Sequence, residues 1–297
     1  MGIESFAEDV KKDVIKRLGK GCNVTVHRVD KNNGVVYTGL CVRENDESVS
    51  PVVYIDSYYD RYKNGETTPA DTANYVADVC RKKRPVVDMR QFLEYANVKS
   101  RIIYKLINTD KNRELLEDVP HMKFLDLSIV FQFLVKDEKI GMATVLIRNA
   151  HAKLWGVSAK DLYEAASRNT PKLRGYEMKS MKQVISEIMQ EENIQEEAVE
   201  DVPLYVLTNK DRTEGAACIL YEHLLKDFSD ALSGNFYIIP SSTHETLLMP
   251  TDNMDDSSEL KAMIGEINDT QVLDEEILSY SLYYYDRDKD EVRVCEA

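Results

Sequence analysis

The sequence predicts an α+β protein in which mixed, largely antiparallel sheets carry packed helices in two domains. Three observations lead there. Apolar residues recur every three to four positions in several segments and every second position in others, so helices and strands are both present. Neighbouring strand segments are joined by short turns such as Lys31-Asn32-Asn33-Gly34, which favours antiparallel pairing. Between Glu187 and Asp201 seven acids occur (Glu187, Glu191, Glu192, Glu196, Glu197, Glu200, Asp201) and no base, the stretch that best divides the chain. The expected organisation is therefore a region over 1–189, itself separable into 1–84 and 85–189, an acidic linker over 190–202, and a domain over 203–297.

The elements follow in order. Phe6, Val10, Val14, Ile15 and Leu18 mark an amphipathic helix over 3–19, closed by Gly19-Lys20-Gly21. Strands are expected over 23–29 and 35–42, with Gly34 taking positive φ between them, and a third over 51–55. Tyr58, Tyr59 and Tyr62 lead into a short helix ended by Asn64-Gly65. Thr68-Pro69-Ala70-Asp71 opens the next, with Thr68 as N-cap, Pro69 at the first helical position and Asp71 at the third. The middle of the chain predicts a helix over 88–95, a strand over 101–107, a short helix over 112–118, and paired strands over 124–135 and 142–148. Ser158 caps a helix through Ala166, and another helix is expected over 178–189. In the last section, strands fall at 204–207, 236–239, 246–249 and 280–285, the final one before a charged tail. An apolar small-residue segment covers 215–220. Helices fall at 221–232 and, from the capping box Asp256-Ser257-Ser258-Glu259, through Ile267.

The chain has 297 residues, 43% of them hydrophobic, which suffices for about two cores. Acids outnumber bases 52 to 38, giving a net charge of −14 that argues against nucleic-acid binding, since phosphates are neutralised by clustered Lys and Arg. The one basic run, Arg81-Lys82-Lys83-Arg84, reads as the cationic end of a helix. No secretory signal is read at the start, and Phe6 stands where a myristoylation signal requires Ser or Thr. No apolar run reaches the roughly 20 residues that cross a bilayer. Cys22, Cys41, Cys80, Cys218 and Cys295 are odd in number, far apart and never in a C-x-x-C pair. They suit reduced thiols better than disulfides or structural zinc, so a cytoplasmic location is expected.

Pro240-Ser241-Ser242-Thr243-His244-Glu245 is the segment richest in chemistry. A zinc protease needs His-Glu-x-x-His on a helix, and position 248 is Leu, so no metal is expected there. A hydrolase could use Ser241 or Ser242 as nucleophile, His244 as base and Glu245 to orient the ring, but no Gly-x-Ser-x-Gly elbow occurs. The structural alternative is a turn whose serines cap backbone amides. Leu207-Thr208-Asn209-Lys210-Asp211 has the look of a guanine-recognition box, yet Arg212 stands where Asp is required and no phosphate loop accompanies it. Asn209 stays as a candidate binding residue. The group Asp252, Asp255, Asp256 and Glu259 lacks the central Gly of an EF-hand loop. His27, His121, His151 and His223 have no second ligand at metal spacing. Tyrosine is the compositional excess, 17 against 7 Phe and one Trp, and Tyr283-Tyr284-Tyr285 puts rings on both faces of a strand, a candidate partner-binding or homodimer face.

The stretches Leu204–Asn209, Gly215–Ala217 and Phe236–Glu245, together with Thr144–Ile147, Leu154–Val157, Leu162-Tyr163 and Ala165-Ala166, resemble a family of uncharacterised bacterial proteins common in anaerobic gut bacteria and classed only as a domain of unknown function. More distantly they are similar to a second uncharacterised family. The resemblance covers most of the chain and implies an intracellular, mixed α/β bacterial protein with no assigned activity or catalytic residues. The leading expectation is a non-enzymatic cytoplasmic module that binds a protein partner or itself, without cofactor and without membrane contact. A hydrolase built on Ser241, Ser242, His244 and Glu245 is the alternative, and a nucleic-acid accessory factor resting on Arg81–Arg84 the second.

Overall fold

The structure, a computed structural model, describes residues 2–19, 21–44, 52–81, 92–137, 141–191, 203–251 and 257–295. The protein is α+β, with three mostly antiparallel sheets, and forms two compact units: Met1–Leu93 with Val135–Ala143, and Glu94–Leu134 with Thr144–Ala297.

In the first unit, helix α1 (Ile3–Leu18) is followed by strands β1 (Cys22–Asp30), β2 (Val36–Glu44) and β3 (Val52–Tyr54), then helices α2 (Asp56–Lys63) and α3 (Pro69–Arg81). The sheet order is β1-β2-β3, antiparallel throughout. The hairpin turn places both Asn33 (φ 60) and Gly34 (φ 71) in left-handed conformation, which Asn and Gly tolerate best. Thr68 and Asp71 exchange hydrogen bonds as a capping box: Thr68 N–H donates to Asp71 Oδ2 (3.1 Å) and Asp71 N–H to Thr68 Oγ1 (3.2 Å). Alternation sends Val24, Leu40, Val42 and Val53 inward, where they pack with Phe6, Val10 and Val14 of α1 and Ala73, Val76 and Cys80 of α3.

The second unit opens with α4 (Tyr95–Val98), β4 (Ile102–Asn108), α5 (Arg113–Asp118) and β5 (His121–Phe124), and takes residues 127–134 of β6 (Leu127–Asp137) and 144–146 of β7 (Gly141–Leu146). β4, β6 and β5 pair antiparallel in that order, and β7 also pairs β6. Helices α6 (Asn149–Trp155) and α7 (Ala159–Arg174) follow. Ser158 caps α7 as expected, but the helix runs on past Ala166 and through Pro171 to Arg174. Side chains of α7 serve the neighbouring segment: Asn169 Nδ2 donates to the carbonyls of Lys99 (2.8 Å) and Ile102 (3.1 Å), and Thr170 Oγ1 accepts the Tyr104 N–H (3.2 Å). These contacts occupy one amide and one carbonyl of β4, a strand at the edge of its sheet.

The remaining elements are β8 (Glu177–Ser180), α8 (Met181–Glu191), β9 (Tyr205–Thr208), a 3₁₀ segment Gly215–Leu220, α9 (Leu224–Leu232), β10 (Phe236–Ile239), β11 (Thr246–Pro250), α10 (Ser257–Thr270), β12 (Tyr283–Asp286) and β13 (Glu291–Val294). They build a six-stranded sheet, β13-β12-β10-β11-β9-β8, in which every neighbour is antiparallel. On one face Leu260 and Ile264 of α10 pack with Ile239, Met249 and Leu282. On the other, Phe228 of α9 meets Tyr205 and Phe236 edge-on, and Phe236 stacks on Tyr285 at 4.8 Å.

Several expectations change. Residues 178–180 are strand rather than helix: Glu177–Ser180 pairs with Tyr205–Thr208, so this sheet takes strands from both sides of the acidic stretch, and the compact units divide elsewhere than at 190–202. Nothing in Glu-Met-Lys-Ser alternates in hydropathy, because an edge strand needs little apolar surface. Residues 291–294 of the expected charged tail form β13 by pairing with β12. Helix α4 starts only at Tyr95, and α9 only at Leu224. Residues 88–91, 82–84, 138–140, 192–202 and 252–256 lie outside the described residues, and with them parts of the expected helix over 88–95, the basic run, the β6–β7 turn, the acidic linker and the acidic group ahead of α10.

Candidate functional site

The segment 240–245 joins β10 to β11 at the end of the sheet where β9 also finishes. Two loops therefore meet there, 209–214 and 240–245. They are tied by Thr208 Oγ1 donating to the His244 carbonyl (2.7 Å) and Ala216 N–H donating to the Thr243 carbonyl (3.2 Å). Gly215 sits between them, and only glycine fits. A Cβ there would lie 2.5 Å from the His244 carbonyl oxygen, 2.7 Å from the Asn209 nitrogen and closer still to Thr208 Oγ1. Arg212 (φ 50) and Glu214 (φ 56) are both left-handed, a conformation that non-glycine residues keep only where their surroundings hold it.

Three contacts hold Glu214. Its N–H donates to His244 Nδ1 (3.2 Å), and its carboxylate accepts Lys105 Nζ (2.9 Å) and the amide of Gln132. Register places Lys105 of β4 and Gln132 of β6 on one face of their sheet. His244 Nε2 lies 3.3 Å from Glu276 Oε1. Because Nδ1 takes a backbone N–H, the neutral ring carries its proton on Nε2 and directs it at Glu276. Both ring nitrogens are thus committed to protein groups.

The Ser242 hydroxyl is committed as well, and the Ser241 backbone is tied into the turn. Ser242 Oγ accepts the His244 N–H (3.0 Å), Ser242 N–H donates to the Glu245 carbonyl (3.3 Å), and Ser241 N–H donates to the Ile239 carbonyl (2.9 Å). This is the capped turn of the structural alternative. A serine nucleophile needs an imidazole nitrogen facing its hydroxyl, whereas the carboxylate paired with the ring belongs to Glu276 rather than Glu245. Asn209, 3% exposed, is spent inside its own loop: Nδ2 donates to the Thr213 carbonyl (2.7 Å), and Oδ1 accepts Asp211 N–H (3.1 Å) and Thr213 N–H (3.2 Å).

Beside these loops Arg174, almost fully buried, pairs with Asp211 at 2.7 Å, and the Tyr221 hydroxyl donates to the Gly175 carbonyl (3.1 Å). Burial pushes the Cys218 thiol up to about 12 and raises Tyr221 and Tyr104 above the usual phenol range. These groups stay protonated and are poor nucleophiles at neutral pH.

The tyrosine strand is placed differently from the expectation. β12 is not an edge: it lies between β10 and β13. Tyr283 and Tyr285 are buried, and the Tyr283 hydroxyl donates to Asp126 Oδ1 (2.6 Å) while Ser279 and Ser281 hydroxyls donate to Oδ2 (2.6 and 3.1 Å). Tyr284 is half-buried on the opposite face, against Tyr237 and 4.6 Å from the Arg293 guanidinium. Phenols buried this way cannot present a surface.

Glu276, Glu214, Lys105, Gln132, Arg174 and Asp126 were not singled out from the sequence as site residues. The signal that could have found two of them is the interruption of the apolar stretch 124–135 by Asp126 and Gln132, both of which turn out to anchor polar networks.

The model of a family of unknown function (DUF5688) matches residues 3–287, and the chain belongs to that family. No curated protein and no solved structure matches it. Among the described residues, no helix is long and apolar enough to cross a membrane.

Proposed function

We propose that this family member acts by binding a protein partner, and that its tyrosine-bearing surface is the outward face of β1–β3 rather than β12. The observation that carries this reading is the character of that face. Strand alternation places Thr25, His27 and Val29, Tyr37 and Cys41, and Val52 and Tyr54 opposite the side packed on α1 and α3. Val52 and Tyr54 are 38% and 37% exposed. Tyr37 and Tyr54 lie 5.5 Å apart with Lys31 Nζ 4.2 Å above the Tyr54 ring. Gly39, lying between them, lets Val29, Val52 and Tyr54 close into one apolar patch.

Alternation assigns His27 and Arg43 but no carboxylate to this face, and Lys31 stands at its end, although the whole chain carries −14. The partner it suits presents an apolar segment bordered by acidic residues. All five cysteines are free thiols, which supports a reducing, cytoplasmic setting. The turn at 241–245, in which Ser242 Oγ takes a backbone amide and both His244 ring nitrogens face Glu214 and Glu276, supports binding over hydrolysis.

The test is quantitative affinity capture from a native extract with the wild-type chain and Tyr54→Glu. A partner retained by the wild type, lost with Tyr54→Glu and weakened by salt is the expected result. Equal recovery by both chains overturns the reading, as does an esterase or amidase activity that Ser242→Ala abolishes.

A further inference from the structure

A second recognition feature lies in the other unit, where α4 and the turn after it face α7. A groove of about 350 Å³ is lined by Ala96, Lys99, Ser100, Arg168, Asn169 and Lys172, and an adjoining one of about 180 Å³ shares Lys99 and Arg168 and adds Tyr95, Val157, Asp161 and Glu164. The first contains three cations and no acid. None of the three makes an ion pair among the described residues: Lys99 Nζ sits 5.7 Å from the Tyr95 ring, and Arg168, an exposed residue, donates Nε to the Glu164 carbonyl (2.9 Å). Some cations elsewhere, such as Lys11, Lys16 and Arg113, pair with a carboxylate and others, such as Lys153, Lys160 and Lys182, do not among the described residues; what sets these three apart is that they line one concave surface. Three cations gathered on one concave surface with no carboxylate among its lining residues favour an anion from outside.

The groove is also held in shape. Asn169 fixes the backbone of 99–102 to the helix through two carbonyls, and Arg168 and Lys172 stand one helical turn apart on the same face. We infer that this groove binds a small phosphorylated ligand of nucleotide size, with the phosphoryl group among Lys99, Arg168 and Lys172 and the attached ring and hydroxyls beside Tyr95, Asp161 and Glu164. Arginine and lysine together give the bidentate and point-charge contacts phosphate takes, and carboxylates accept sugar hydroxyls. A nucleic-acid polymer is disfavoured because the volume encloses one such unit and Asp161 and Glu164 border it. The inference does not depend on the partner-binding reading, which concerns the other unit.

The chain's single tryptophan, Trp155, lies 6.1 Å from Tyr95 and reports on the site. Titration of the full chain at low ionic strength with AMP, ribose 5-phosphate, inorganic phosphate and adenosine, followed by Trp155 fluorescence and by calorimetry, tests it. AMP binds saturably and more tightly than phosphate, adenosine does not bind, and the doubly substituted Arg168→Glu/Lys172→Glu chain, folded by circular dichroism, loses about tenfold or more in affinity. No saturable binding of any phosphorylated probe by calorimetry, or binding unchanged in the double variant, overturns the inference. A single-stranded oligonucleotide that outcompetes AMP overturns the small-molecule assignment.

Discussion

The two units solve the problem of burial differently. Of the thirteen described polar or charged residues that are buried, only Thr72 belongs to the first unit, although the second is only about twice as long. In the first unit two helices and a three-stranded sheet share an apolar core in which Phe6 touches the rings of Tyr59 and Tyr62. In the second, Gln132, Arg174, Asn209, Asn108 and Asn268 are each buried with a named hydrogen-bond partner. An apolar core tolerates changes that conserve volume, whereas a buried polar network depends on each partner's position. The lesson is that the first unit's stability resides in its interior and its candidate recognition in an open face, while the second unit fixes its loops by polar contacts.

The contrast can be broken most strongly at Phe6. Phe6→Ala is expected to destabilise the first unit by about 4 kcal/mol, and Phe6→Leu by about 1 kcal/mol, read as loss of amide exchange protection in β1 and β2. If Leu proves as damaging as Ala, the first core is as geometrically demanding as the second.

A pair of glycines sharpens the comparison. At Gly215 an added methyl meets backbone on two sides, so Gly215→Ala should cost about 3 kcal/mol. At Gly39 the obstacle is the side-chain tip of Val52, on the open face, so Gly39→Ala should cost about 1 kcal/mol, and both values come from urea midpoints. Equal costs would contradict the picture of rigid loops against an adaptable face.

The comparison also extends to pH dependence. Burial raises Cys218 from its ordinary 9.0 to about 12. Above pH 9 the unfolded chain sheds this proton while the folded chain keeps it, so stability falls as pH rises between 9 and 12, by up to about 1.4 kcal/mol per unit. Cys218→Ala should flatten the slope between pH 9 and 10, where free tyrosines still hold most of their protons. An unchanged slope would mean the thiol is not buried as the second unit's packing requires.

Much of the architecture was legible in the sequence. The helix over 3–18, the Asn33-Gly34 hairpin, the Thr68 and Ser158 capping boxes and the strand 236–239 follow from local periodicity and capping chemistry, which act within a few residues. The strands 177–180 and 291–294 were not legible, because their pairing partners supply what their own sequences lack. The site was half legible. Ser-Ser-x-His-Glu announced a polar loop, but the carboxylate on His244 comes from Glu276 and the amide donor from Glu214, 32 and 30 residues away in the chain.

By itself, then, the sequence determined the fold class, the free cysteines, the acidic character and the candidate loop, since composition and near-neighbour spacing carry those. Only tertiary structure decided which tyrosines are surface. Tyr283 and Tyr285 became interior phenols bonded to Asp126 and Asp290, while Tyr54 on a short edge strand stayed exposed. The reason is physical: alternation assigns a side chain to one face or the other, and burial depends on what packs against that face from distant parts of the chain.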